Sequence, residues 1–213
     1  RVHFSSARRT AVLRIGLVML QGDRHAHMAA LERASAESGI EIEVHELRKA
    51  SDLHSADPHA IVIPGGESTT MRLTGNDPTS ALLPALFEWI RADPSKPVLG
   101  TCAGAILLSE PEDGGPPIVD ASIDRNAFGT QTASFQSTLE ATALQRDFPG
   151  VFIRAPRFTD TGPEGKVAAI LGDEVVGVRT GNRMALTFHP ELSSDSGFHQ
   201  WLIEKASAIT MGV

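Results

Sequence analysis

The chain of 213 residues holds one cysteine, and that cysteine stands where a nucleophile would be wanted. Cys102 lies in Gly100-Thr101-Cys102-Ala103-Gly104, between an apolar strand pattern at 98–101 and an apolar helical pattern at 103–108. Glycines two positions to each side permit a sharp strand-to-helix turn that lifts a nucleophile out of a sheet. A helix N-terminus beside the sulfur favours a thiolate, because its partial positive charge and free N–H groups point at it. Composition alone favours the other reading, a buried small hydrophobe beside a glycine turn. A lone G-x-C-x-G does not separate the two.

A second segment tips the balance. His189-Pro190-Glu191 follows the apolar run 184–188. A cysteine nucleophile needs a base to take its proton and return one to the leaving group, and the base needs an acceptor to fix its tautomer. His189 and Glu191 supply both types at a strand end, where ligand sites of open α/β sheets gather. A third segment, Pro64-Gly65-Gly66-Glu67-Ser68-Thr69-Thr70, also follows a strand pattern. Its paired glycines let backbone N–H groups face a developing oxyanion. The plainer reading is a turn in which Ser68 or Thr69 caps the next helix. The GK[ST] of a phosphate loop is absent. Together the three strand ends suggest acyl transfer through a thioester.

These side chains need a scaffold, and the pattern for one is present. Buried strands are expected at 12–20, 60–63 and 98–101, and a half-exposed one at 40–44. Asp23 reads as the N-cap of a helix to Ser38, with Gly39 as its stop. Leu82, Leu83, Leu86, Phe87 and Ile90 share one helical face. The β-α-β-β-α-β-α order predicts a parallel sheet with helices on both faces. Strands at 135–139, 151–155, 167–171, 175–179 and 184–188 follow with few helices between them. They predict antiparallel additions toward the C-terminal half, before a closing helix at 195–208. Residues 110–117 read as an exposed loop.

Composition sets outer limits. Hydrophobic residues make up 41% and charged residues 21%, in the globular range. A net charge of −7 opposes nucleic-acid phosphates and anionic lipid, so neither a nucleic-acid nor a membrane partner is expected. No apolar run reaches the roughly 18 residues of a membrane span. One thiol excludes an intrachain disulfide and any multi-cysteine metal site, and it suits a reducing compartment, here the cytoplasm. Residues 1–11 are basic at their start and rich in serine. They read as a disordered or artefactual extension in preference to a transit peptide. Residues 12–213 read as one domain. His25 and His27 beside Asp23 read as a polar helix face, not a metal site. Trp89 and Trp201 read as core or interface residues, and Met19, Met28 and Met71 as ordinary packing.

The motifs resemble the triad-type (class I) glutamine amidotransferases, and more narrowly the glutaminase subunit of pyridoxal 5′-phosphate synthase. The matching segments are Leu20-Gln21-Gly22-Asp23, the 64–70 glycine turn, the 100–104 elbow, Arg125-Asn126-Ala127-Phe128-Gly129, Phe152-Ile153-Arg154-Ala155-Pro156 and Phe188-His189-Pro190-Glu191-Leu192. The elbow and His-Pro-Glu are shared by many amidotransferases; Gly-Gly-Glu-Ser, Arg-Asn-Ala-Phe-Gly and Phe-Ile-Arg-Ala-Pro are narrower. The resemblance implies a flavodoxin-like three-layer α/β fold with a mostly parallel sheet. It implies attack of Cys102 on the glutamine amide, with His189 as base and acid and Glu191 orienting it. Gly66, Ala103 and Gln21 would serve the oxyanion site. Gly66, Glu67, Ser68, Arg125, Ile153 and Arg154 match glutamine-binding positions. No cofactor or metal is implied; ammonia would pass to a synthase subunit. Thr130, Ala133, Gln136 and the segment 193–198 depart from the family pattern and bear on docking. The rival readings are a glutaminase of histidine or purine synthesis, a silent assembly subunit, and a cysteine hydrolase without glutamine preference.

Overall fold

The computed structural model describes residues 11–127 and 134–212. The expected extension at 1–11 falls outside this range except for Ala11. Thr130, Ala133 and the Phe128-Gly129 end of one motif lie outside it as well. Eleven strands and six helices are described, in the order β1 (Leu13–Val18), α1 (Arg24–Ser38), β2 (Ile42–Leu47), α2 (Ala50–Ala56), β3 (Ala60–Ile63), α3 (Ser68–Gly75), α4 (Leu82–Ala92), β4 (Val98–Thr101) and α5 (Ala103–Ser109). Then come β5 (Ala121–Asp124), β6 (Ser134–Ala141), β7 (Arg146–Ile153), β8 (Arg157–Thr161), β9 (Lys166–Leu171), β10 (Glu174–Thr180), β11 (Arg183–Leu186) and α6 (Gly197–Met211).

Nine strands form one sheet in the order β2-β1-β3-β4-β11-β10-β9-β6-β7. The pairs from β2 across to β11 are parallel, with Leu186 opposite Thr101. Beyond β11 the sheet is antiparallel through β10, β9, β6 and β7. This is the mixed sheet that the change of pattern predicts. The central strands are buried on both faces, so alternate residues enter different cores. Leu13, Ile15, Leu17, Ala60 and Val62 pack with Leu31 and Ala34 of α1 and with Phe198, Leu202, Ile203 and Ala206 of α6. Val18, Ile61 and Ile63 pack with helices α2 to α5 on the other side. The result is three layers, helix-sheet-helix.

Several boundaries differ from the expectation. Helices α2 and α3 add to the predicted β-α-β-β-α-β-α order. Strands β5 and β8 form a separate two-stranded sheet that the pattern does not reveal. Strand β7 begins at Arg146 and runs through Pro149-Gly150. Pro149 is tolerated there because β7 is the edge of the sheet, where a missing N–H breaks no ladder on the open side. The helix caps fall as read: the Asp23 carboxylate accepts from the Ala26 N–H, and Gly39 is left-handed at φ 69°. At α3 the cap is neither Ser68 nor Thr69. The Glu67 carboxylate accepts from the N–H groups of Thr69 and Thr70 at 3.1 and 2.7 Å.

Candidate active site

Parallel β4 and β11 end side by side, and this adjacency brings Cys102 to His189. Cys102 follows β4 directly at φ 51° and ψ −111°, an unfavourable backbone for a side-chain-bearing residue. Its N–H donates to the carbonyl of Leu186 at 2.8 Å, which ties the elbow to the end of β11. Gly104 makes the turn possible: a Cβ there would lie 2.1 Å from the Ile63 carbonyl oxygen. Helix α5 therefore sits close against β3. Cys102 is 8% exposed, so the reading as a buried small residue fits its accessibility, but its neighbours are chemical.

His189 is held by its backbone N–H, which donates to the Val151 carbonyl at 2.8 Å. Its ring Nδ1 lies 2.6 Å from Glu191 Oε1. Its ring and the Cys102 side chain meet over Gly65, while the thiol itself lies 4.0 Å from the Ile153 carbonyl oxygen. A Cβ on Gly65 would lie 2.9 Å from His189 Cε1 and 3.1 Å from Cys102 Cβ, so the cysteine side chain and the ring crowd the same glycine. Burial pulls the His189 pKa down, yet the bonds to Cys102 and Glu191 outweigh it and raise the value to about 10. Burial likewise works against the Glu191 carboxylate, and the His189 bond overcomes this and lowers its pKa. Both shifts favour charged partners, an imidazolium beside the Glu191 carboxylate.

A cavity of about 550 Å³ opens over the thiol. That is within the roughly 300–1,000 Å³ usual for small-molecule sites. Gly66, Glu67, Ser68, Cys102, Ala103, Arg125, Ile153, Arg154 and His189 line it. Every expected substrate position is thus in the wall. Asn126, Ile106, Thr69 and Pro156 join them. Gln21 and Glu191 stand behind the wall. Gln21 Oε1 accepts from the Glu67 N–H at 2.6 Å. The side chain of Gln21 fills the place a Cβ on Gly66 would take, 2.6 Å from Gln21 Oε1, and Gly66 has φ 150°, which only glycine adopts readily. Ala103 is the first residue of α5, where an N–H has no partner within the helix. Among the described residues no three His, Cys, Asp or Glu side chains group as metal ligands.

Two residues behave differently from the expectation or escape it. His27 is not on a polar face; it is fully buried on α1, while His25 is exposed. His199 on α6 is also fully buried and meets it, Nδ1 of His27 to Nε2 of His199 at 3.0 Å. Spacing carries the missing signal. His27 is in register with the buried Ala30, Leu31 and Ala34, and His199 with Leu202, Ile203 and Ala206, both at the i, i+3, i+4, i+7 period of a core stripe.

A buried cysteine elbow, a His-Glu pair at the neighbouring strand end and an open polar cavity on a three-layer α/β fold have the arrangement expected of a triad-type amidotransferase. Residues 17–208 match the SNO glutamine amidotransferase family, and the chain belongs to it. Pyridoxal 5'-phosphate synthase subunit PdxT of Thermococcus onnurineus (strain NA1) is 38% identical over 205 residues, covering 92% of this chain and 100% of the relative. The subunit of the same name from Methanosarcina acetivorans is 39% identical over 204 residues, covering 91% and 98%. A crystal structure of a glutamine amidotransferase superposes with a TM-score of 0.76 at 38% identity, over 90% of this chain and 98% of the other. A glutamine amidotransferase from Thermotoga maritima, 13% identical, shares the fold with a TM-score of 0.57 over 95% and 86%.

Proposed function

We propose that this chain hydrolyses L-glutamine to L-glutamate and ammonia, and passes the ammonia to a synthase subunit for pyridoxal 5′-phosphate synthesis. The observation that carries the reading is the convergence of Cys102 and His189 beside Gly65 in the wall of one cavity, with His189 Nδ1 held 2.6 Å from Glu191 behind it. The Cys102 thiolate attacks the side-chain amide carbon. Negative charge moves to the amide oxygen, where the N–H groups of Gly66 and Ala103 receive it. The His189 imidazolium gives its proton to the departing nitrogen, and ammonia leaves a thioester. Water then attacks the thioester carbon while His189 takes its proton. Glutamate leaves, and the sulfur departs as thiolate.

Glu191 keeps the His189 Nδ1 proton in place, so Nε2 is the atom that works. Gln21 fixes the Gly66-Glu67 peptide and thereby the direction of the oxyanion donors. The cations Arg125 and Arg154 in the cavity wall suit the α-carboxylate of glutamine. Glu67, Ser68 and the Ile153 backbone complete the substrate wall. The names of the relatives support a synthase partner and the pyridoxal phosphate destination over histidine or purine synthesis. Among the described residues no helix is long and apolar enough to cross a membrane. A cytoplasmic location suits the single reduced thiol.

The test is glutamate release by the wild type and by Cys102→Ala, each with and without the synthase subunit of the relatives' complex. Basal release should be low and rise with the partner, and the variant should release none while unfolding at a similar temperature. A silent assembly subunit would release no glutamate under any condition, and its Cys102 would resist a glutamine-analogue electrophile.

A further inference from the structure

Behind the triad lies a second line of buried polar atoms that the proposed chemistry leaves unused. One oxygen of Glu191, Oε1, meets His189; the other, Oε2, has no hydrogen-bond partner and is sealed from solvent. The atom that faces it is His27 Nε2, at 3.6 Å, also buried and also unpartnered. The far side of the His27 ring, Nδ1, lies 3.0 Å from His199 Nε2. His27, His199 and Glu191 are 0%, 0% and 6% exposed. A buried carboxylate oxygen without a donor is costly, and two orphaned groups facing each other are each other's remedy.

We propose that His27 is a positioning residue for amide cleavage, its Nε2–H holding the outer oxygen of Glu191 while His199 fixes its tautomer from behind. The proposal rests on the triad reading above. The tautomers follow from elimination. A neutral imidazole carries one N–H. If His27 carried it on Nδ1, a bare nitrogen lone pair would face the Glu191 carboxylate. With the proton on Nε2, the ring presents a donor to Glu191, and its Nδ1 must accept. His199 Nε2 is then the donor. Every bond points one way: His199 to His27, His27 to Glu191, and His189 Nδ1–H to the other oxygen of Glu191. Both outer rings must be neutral for this, and burial above all favours that form, lowering each to about 3. The groups that face His27 are Glu191, His199, His189 and Asp23, and Arg33 acts on His199.

At 3.6 Å the His27–Glu191 approach is a charge–dipole contact, about 0.7 Å longer than a charged hydrogen bond. Bonds of this kind are often long in a free enzyme and tighten with substrate. The anchor is stiff, because α1 and α6 pack on each other and bury both rings.

The test uses the full chain, with the synthase partner present for turnover. In the wild type, ¹⁵N resonances of the imidazoles should show His27 and His199 neutral, each protonated on Nε2. His27→Phe keeps the ring volume and removes the donor. It should lower kcat for glutamate release about tenfold with KM within twofold of wild type, since His27 does not line the cavity. Without the donor the Glu191 carboxylate is no longer held in line with His189 Nδ1, so its bond to the imidazolium weakens and the rise in Cys102 alkylation by iodoacetamide should move to higher pH. His27→Gln returns an amide N–H near the same place and should recover most of kcat and of the profile. A folded His27→Phe with the wild-type kcat and alkylation profile overturns the proposal. So does a His27→Gln no better than the phenylalanine variant, or a wild-type His27 protonated on Nδ1. If His27→Phe does not fold, the wild-type tautomer decides: Nε2 supports the proposal and Nδ1 sinks it. Glutamate release by the wild type tests the triad reading separately from these variants.

Discussion

Replacing Gly65 with alanine tests the proposed chemistry at its narrowest point. The added methyl carbon would lie 2.9 Å from His189 Cε1 and 3.1 Å from Cys102 Cβ. Comfortable carbon–carbon contact is about 3.5–4.0 Å, so both neighbours must retreat by roughly half an ångström or more. The cysteine cannot easily do so, since its backbone is pinned to Leu186 and its helix is seated on Ile63. The ring is the softer partner, and it moves away from the sulfur. A displacement approaching 1 Å at reacting atoms costs on the order of a hundredfold in rate. The strain on the fold is smaller, about 1–3 kcal/mol for one methyl forced into a packed site. Gly65→Ala should therefore fold, unfold at a modestly lower temperature, and release glutamate about a hundredfold more slowly. Its Cys102 should alkylate slowly at neutral pH, because a displaced ring no longer stabilises the thiolate. A variant with wild-type kcat and alkylation rate would show that the contact between ring and sulfur is not what drives the reaction.

Gln21→Ala removes the acceptor that fixes the Glu67 N–H, so the Gly66 peptide loses its orientation; kcat should fall about tenfold with little change in Cys102 alkylation, and equal losses in both would contradict this division of roles. Stability should peak near neutral pH. His189 is raised from 6.5 to about 10, so its contribution is complete below 6.5 and disappears as pH climbs through 10. His27 and His199 are lowered from 6.5 to about 3, so the unfolded chain takes up protons that the folded chain refuses, and stability drains as pH falls from 6.5 toward 3. Urea denaturation across that range measures both slopes. His199→Asn should flatten the acid one, and an unchanged slope would refute the assignment.

The proposed reacting residues, Cys102 and His189, are legible in the sequence because each comes just after a short, apolar strand. Val98–Thr101 and Arg183–Leu186 are buried along most of their length, and a parallel pairing then sets Cys102 beside His189. The cavity wall is legible only through resemblance. Arg125 and Arg154 sit on irregular backbone, and nothing in local periodicity announces that residues so far apart share a mouth. Helix α2 escapes notice because seven residues, with Leu53 and Ala56 buried, are too few to establish a period. The β5–β8 pair escapes for the opposite reason: its strands are short, with exposed polar residues on Ser122, Asp124 and most of β8, and their partners lie far apart in the chain. His27 shows how type misleads where spacing would not. A histidine near Asp23 and His25 reads as surface, yet it occupies a core position of α1. Composition prices an imidazole as polar, and the tertiary fold overrides that by supplying Glu191 and His199.

The burial of the His199, His27 and Glu191 side chains has a consequence for isotope bookkeeping. Their line lies behind the cavity wall, with all three side chains buried between α1, α6 and the His189 segment. In the proposed chemistry the proton that His189 carries leaves toward the cavity, where the departing nitrogen takes it. Each ammonia should therefore carry away one hydrogen that came through the His189 ring, and glutamate release in deuterium oxide should slow wherever that transfer limits the rate.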